Sequence, residues 1–342
     1  MGQVDGVFEQ GSSARPDGAV LATYAWRAGA EPGRAPRGVV YLAHGMAEHA
    51  ARYDEFARFL VAQGFEVHAH DHRGHGLTAT GDGRSEPLGY AAEVGGWDLL
   101  VGDLMARLAE VSRPGVPLVL IGHSMGSFLA RDVAIRLSQD RARLSRGARL
   151  LQPPLEIAAY VLIGTGGPKG RMLEVGKGVA AAIAKTRGGS RPSNLLDRAL
   201  FGEFNRAFAP ARTDFDWLSR DPAAVDDYVA DPLCGFVCSA SFYRDLLEAV
   251  RRVNTPSNLT SLAPETPVLL VAGDADGVGD NGAGVRAAAA QLRDAGLTDV
   301  TCVLYQQARH EVLNETNKES VMRDIARWLD GRVREPQMEA AP

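Results

Sequence analysis

A serine hydroxyl attacks a carbonyl carbon at neutral pH only when a base takes its proton and an acid orients that base. One stretch of this chain offers such a nucleophile, Gly122-His123-Ser124-Met125-Gly126. The apolar run 116–121 precedes it with strand character. After it, Phe128, Leu129, Val133 and Leu137 recur at helical spacing. Strand, G-x-S-x-G, helix is the setting of a nucleophile elbow, a tight turn that holds the serine in a strained conformation. Glycines two positions either side remove Cβ atoms that would clash where strand and helix approach.

In an elbow fold the partners follow in the order Ser, acid, His. Of the eight histidines, seven lie before Ser124, which leaves His310 as the candidate base. The acid belongs between them, after a strand end. The strand ending at Ala272 opens into Gly273-Asp274-Ala275-Asp276-Gly277-Val278-Gly279-Asp280. Three aspartates compete there. Asp274 sits close to the strand, Asp280 is placed to cap the next helix, and Asp276 lies between them with a modest lead. The earlier strand ending at Ile163 opens into Gly164-Thr165-Gly166-Gly167-Pro168, which offers no acid. The tetrahedral oxyanion needs two donors. The pattern assigns the backbone N–H groups of Met125 and of Met46, the latter in the His44-Gly45-Met46 turn after another strand.

Strand-like runs at 4–9, 19–26, 38–43, 65–70, 116–121, 158–163, 267–272 and 300–305 must carry these loops. The first two are joined by a Pro16-Asp17-Gly18 turn and suit a sheet edge. Helical patterns at 53–63, 96–111, 284–295 and 318–329 alternate with the others, which predicts an α/β fold with a mostly parallel central sheet. About a hundred residues separate the strand ending at Ile163 from the one beginning at Pro267, far more than a crossover needs. They hold helical patterns at 172–185, 194–198 and 242–253. The expected organisation is a core over 1–164, an inserted helical cap over 165–255, the rest of the core over 256–331, and a frayed tail over 332–342. A polar, basic stretch at 141–149 is expected to follow the elbow helix.

Several segments jointly resemble the monoacylglycerol lipase and lysophospholipase branch of the α/β-hydrolases. His44-Gly-Met-Ala-Glu-His-Ala-Ala-Arg-Tyr53 is similar to its HGxxEHxxRY segment, and Asp71-His-Arg-Gly-His-Gly76 to its DxxGHG loop. Asp216-Trp-Leu-Ser-Arg-Asp-Pro222, Val225-Asp-Asp-Tyr228 and Asp231-Pro-Leu233 resemble its cap, and Gly273-Asp-Ala-Asp276 its acid loop. The resemblance implies the α/β-hydrolase fold and makes Asp276 the acid of a Ser124–Asp276–His310 triad. It further implies hydrolysis of a carboxylic ester, such as a monoacylglycerol or lysophospholipid, with no cofactor. The glycine-rich tail Gly277-Val278-Gly279 departs from the family pattern. The cap sequence is dense in aromatic residues (Phe201, Phe204, Phe208, Phe215, Trp217, Phe236, Phe242, Tyr243), which suits an apolar tunnel.

The composition, 45% hydrophobic and 23% charged with a net charge of −5, is that of a globular protein and gives no footprint for nucleic acid. No signal peptide or membrane span is visible, and the three cysteines (Cys234, Cys238, Cys302) make no disulfide framework, so a cytoplasmic protein is expected. The alanine-rich 179–184 stretch predicts at most weak contact with a membrane surface. Other chemistries of an elbow fold are short-chain esterase, peptidase, perhydrolase or acyltransferase activity. A rival from another class is a metal-dependent hydrolase built on His68, His70, His72 and His75, a near miss of the HxHxDH pattern. Cys234 and Cys238, four residues apart, could supply two zinc ligands, but no second pair follows.

Overall fold

The structure is a computed structural model that describes residues 7–29, 35–145, 155–168 and 171–333. Strands β1 (Val7–Ala14), β2 (Val20–Arg27), β3 (Gly38–Ala43), β4 (Phe65–His70), β5 (Leu118–His123), β6 (Ala159–Ile163), β7 (Val268–Gly273) and β8 (Val300–Tyr305) form one sheet. Their order is β1-β2-β4-β3-β5-β6-β7-β8. From β4 to β8 every pairing is parallel; β1 and β2 join antiparallel at one edge. The reason lies in residue type. β3, β6 and β7, and β5 as far as Gly122, are apolar and buried on both faces, as central parallel strands must be. β1 alternates poorly, lies almost wholly exposed, and takes the edge.

The first strand extends further than the sequence pattern suggests. It runs through Gly11-Ser12-Ser13 to Ala14 because β2 offers a full antiparallel register from Val7↔Arg27 to Ala14↔Val20. Residues 4–6 lie outside the described residues.

Helices α1 (Asp54–Ala62), α2 (Gly76–Thr80), α3 (Gly96–Val111) and α4 (Met125–Ser145) follow in the first half. α4 continues through residues 141–145, the start of the polar, basic stretch that the sequence places after that helix. The remainder of that stretch, 146–149, is not among the described residues. Between β6 and β7 come α5 (Arg171–Arg187), α6 (Asn194–Phe201), α7 (Pro222–Ala230), α8 (Ala240–Val253) and α9 (Pro256–Leu259); then α10 (Ala283–Asp294) and α11 (Lys318–Asp330) complete the chain. α7 is absent from the sequence reading although its start signal is legible. Asp221 caps it, accepting from the Ala223 N–H at 3.0 Å, and Pro222 occupies the first turn.

Two apolar layers sandwich the sheet. α3, α4, α8 and α10 pack on one face, α1 and α11 on the other. α8 packs on α3 and α4 as well as on α5. The tail is ordered further than expected: Arg332 forms a two-pronged pair with Asp299 at 2.7 Å and Val333 is 2% exposed. Residues 334–342 lie outside the described set. No helix among the described residues is long and apolar enough to cross a membrane.

Candidate active site

β5 delivers Ser124 at the centre of the sheet, between β3 and β6. Its φ of +51° lies in the left-handed region, which costs a non-glycine residue about 1–3 kcal/mol unless the surroundings hold it. They do so through three hydrogen bonds. The Ser124 N–H donates to the Ile163 carbonyl at 2.8 Å, and the Ser127 N–H and hydroxyl both donate to the Ser124 carbonyl, at 2.9 and 2.6 Å. The flanking glycines are sterically required. A Cβ on Gly122 would collide with the backbone of Gly126, and one on Gly126 with the Ala43 carbonyl. Ser124 is half-buried while both its neighbours are buried.

The acid loop and the histidine loop are stitched together, the Ala275 N–H donating to the Ala308 carbonyl at 3.0 Å. This brings the His310 Nδ1–H to donate to Asp276 Oδ2 at 3.0 Å, with Asp276 fully buried and His310 2% exposed. That bond makes Nε2 the proton-accepting nitrogen of the neutral ring. The other two aspartates go elsewhere. Asp274 is exposed and accepts from the Gln307 N–H at 2.6 Å; Asp280 is exposed in the turn before α10. Burial drives the His310 ring toward its neutral form, but the charge and hydrogen bond of Asp276, helped by Glu311 and Glu48, outweigh it and hold its pKa above the ordinary histidine value.

Met125 opens α4, so its N–H lies at the positive end of that helix. The His44-Gly45-Met46 turn lies alongside: a Cβ built on Gly45 would come within 3.2 Å of the Ser124 Cβ. The Gly45-Met46 turn and the start of α4 thus lie on either side of the serine in the chain, with Gly45 packed against it.

A network that the sequence reading does not assign holds this turn. Glu48, 2% exposed, accepts from the Gly45 N–H at 2.5 Å, the Tyr53 hydroxyl at 2.8 Å and the His123 ring at 3.1 Å. Its other oxygen accepts from Arg52 at 2.6 Å, and Arg52 grips Glu311, the neighbour of His310, with two bonds of 2.7 and 2.8 Å. Burial opposes ionisation of both carboxylates; for Glu48 the His123 hydrogen bond and Arg52, and for Glu311 chiefly Arg52, overcome it and hold them charged. Glu48 and Arg52 both stand in the 44–53 segment; the signal was there, but their pairing with Glu311 is long-range. We expect Glu48→Gln to lower kcat by roughly 10- to 100-fold through a displaced Gly45-Met46 turn. It also moves the acidic limb of the kcat/KM–pH profile to lower pH, because Glu48 helps raise His310; a purely structural role would leave that limb in place.

The four clustered histidines face different partners. His68 Nε2 meets Glu66 at 2.6 Å, His70 Nδ1 meets the Tyr41 hydroxyl at 2.7 Å, and His75 Nδ1 donates to the Arg73 carbonyl at 2.9 Å. His72 donates from Nε2 to the His44 carbonyl at 3.2 Å, and its backbone N–H donates to His44 Nε2 at 2.9 Å. Their remaining ring nitrogens do not converge, so the metallo-hydrolase arrangement is not formed. His72 and His75 pack against the His44 ring instead, and His68 and His70 are held by Glu66 and Tyr41.

From the segment between β6 and β7, Trp217 packs on the His310 ring with centroids 5.1 Å apart. Phe204 packs on Trp217 at 5.4 Å, and a Cβ on Gly277 would come within 2.5 Å of its ring. Phe201 adjoins both. The other aromatics in that region are dispersed: Phe215 lies on Tyr228, Phe236 and Phe242 on His75, and Phe208 under Arg309.

Comparison with known proteins agrees with this geometry. Residues 34–317 match the family described as serine aminopeptidase, S33. A monoacylglycerol lipase of Mycolicibacterium smegmatis is 30% identical over 87% of this chain and 90% of its own length. The human monoglyceride lipase is 29% identical over 93% and 89%. Among solved structures, a thermostable carboxyl esterase from Bacillus coagulans superposes with a TM-score of 0.79 at 25% identity, covering 96% of this chain and 99% of that one. With the elbow, the eight-stranded sheet and these relatives in agreement, the chain belongs to the serine aminopeptidase, S33 family of α/β-hydrolases and is a carboxylic ester hydrolase.

Proposed function

We propose that the enzyme hydrolyses lipid-type esters, monoacylglycerols or lysophospholipids, through an acyl-enzyme on Ser124. The observation that carries this reading is the His310–Asp276 hydrogen bond within a buried site that also holds the left-handed Ser124. His310 Nε2 takes the Ser124 proton as Oγ adds to the ester carbonyl. Asp276 keeps the ring in the required tautomer and stabilises the imidazolium. The N–H groups of Met46 and Met125 stabilise the oxyanion, whose collapse expels the alcohol with the proton returned from His310. Water, activated by the same nitrogen, then releases the acid and restores Ser124.

Residues 165–255 act in this reading as the cap. Trp217, Phe204 and Phe201 give it an apolar wall beside His310, suited to an acyl chain rather than to the charged amine of a peptide N-terminus. This favours ester over peptide cleavage. The exposed Val175 and Val179, one turn apart on α5, provide a small apolar outer face for transient contact with a lipid surface. A chain-length series of p-nitrophenyl esters, run beside monoacylglycerol and lysophosphatidylcholine, tests the substrate class. kcat/KM is expected to rise from acetyl to medium-chain esters by roughly 10-fold or more, as buried methylenes each contribute about 0.8 kcal/mol. Turnover confined to acetyl esters overturns the lipid assignment.

A further inference from the structure

Cys234 and Cys238 do not act as a pair. Cys238 is buried against the backbone of Gly89, whereas Cys234 lies beside His49 and Asp231. His49 Nε2 and Asp231 Oδ2 are 2.8 Å apart, and the candidate ligand atoms of all three residues lie within 4.8 Å of one another. This is the one such group of three or more His, Cys, Asp or Glu side chains among the described residues. We propose that His49, Asp231 and Cys234 bind a divalent metal ion of zinc type that clasps the segment after β3 to the turn after α7.

The donor set is nitrogen, oxygen and sulfur, the combination that zinc accepts. Tetrahedral bonds of about 2.0–2.3 Å place ligand atoms roughly 3.3–3.8 Å apart, so the side chains need to shift by about 1 Å or less. Three protein ligands leave a fourth position for water. Both supporting segments are already fixed. The Cys234 N–H donates to the Asp231 carbonyl at 3.0 Å and the Leu233 N–H to Asp231 Oδ1 at 2.8 Å. The Tyr228 hydroxyl and the Gly235 N–H both donate to the Ala47 carbonyl, each at 2.9 Å.

The local charge is complementary to a dication. Asp231, Glu48 and Glu311 are carboxylates facing one guanidinium, Arg52, which leaves an excess of negative charge. Asp71 is also near His49, but its carboxyl is buried and pushed upward by that burial. Burial raises the Cys234 thiol as well, so metal binding releases its proton: one S–H bond breaks, one metal–sulfur bond forms, and one proton goes to solvent. Affinity therefore rises with pH.

Because His49 follows the Met46 turn directly, a metal here ties the cap to the oxyanion side of the site and slows turnover. This second half of the proposal rests on the cap reading above; metal binding itself does not. The test titrates Zn²⁺ and Co²⁺ into the full-length protein, and into Ser124→Ala so that binding is read independently of hydrolysis. The expected result is one equivalent bound, a thiolate-to-cobalt charge-transfer band, loss of that band in Cys234→Ser, and roughly 100-fold weaker Zn²⁺ binding in His49→Gln. Circular dichroism checks that both variants are folded. No binding, or equal binding by wild type and both variants, overturns the site. Zn²⁺ is expected to reduce ester turnover of the wild type, reversibly with a chelator, and to leave Cys234→Ser unaffected. Binding with unchanged kcat and KM overturns the clasp. A protein inactive on every ester that still binds Zn²⁺ through Cys234 would sink the hydrolytic reading and leave the site standing.

Discussion

Replacing Ser124 by alanine lowers ester turnover by roughly 10⁴- to 10⁶-fold, because without the attacking hydroxyl no acyl-enzyme forms and His310 has no serine proton to take. The same change abolishes covalent labelling by a fluorophosphonate, which in the wild type modifies Ser124 alone. The fold survives, since alanine removes only Oγ and the Ser124 hydrogen bonds described above are made by its backbone. A second substitution separates strain from chemistry. At φ +51°, Ser124→Gly is equally inactive but more stable than Ser124→Ala by about 1 kcal/mol, because glycine occupies the left-handed region without a Cβ penalty. Thermal denaturation of the two variants measures that difference. A folded wild-type protein that the fluorophosphonate leaves unmodified sinks the assignment of Ser124.

Asp276→Asn is expected to cost roughly 10⁴-fold in kcat with little change in fold. The asparagine amide can offer an N–H to His310 Nδ1, which stabilises the wrong tautomer and leaves the nascent imidazolium without a counter-charge. The pH profile separates this from simple misfolding. In the wild type the His310 pKa is raised, so the active neutral form is lost as pH falls through a value above the ordinary 6.5. Without Asp276, burial is largely unopposed and favours the neutral ring. The acidic limb of the residual activity then moves to lower pH. An unchanged or upward-shifted limb would show that another group titrates.

The order Ser, acid, His was legible because strand, turn and helix signals are local, and because a single histidine follows Ser124. The choice among the three aspartates was open on pattern alone. It turns on which carboxyl the β7 loop sends inward, and that depends on the Ala275–Ala308 stitch between two loops more than thirty residues apart in sequence. The link from Arg52 to Glu311 was unreadable for the same reason: Glu48 and Arg52 pair locally, but the bonds to Glu311 exist only once the segment after β3 meets that after β8. α7 was missed for a different cause. Its Asp221-Pro222 start is clear, but nine residues with two acidic side chains at their centre make a weak helical pattern.

The sequence by itself determined the parallel core strands, the tight turn at Ser124 and the histidine that follows it, because apolar runs, glycine spacing and chain order act over short range or by counting. Only the tertiary structure decided which aspartate faces His310, that Trp217 covers that ring, and that His68, His70, His72 and His75 each take a separate partner rather than gather a metal. It also decided that Cys234 turns away from Cys238 toward His49 and Asp231. Each of these depends on distant segments packing against one another, which local residue spacing does not encode.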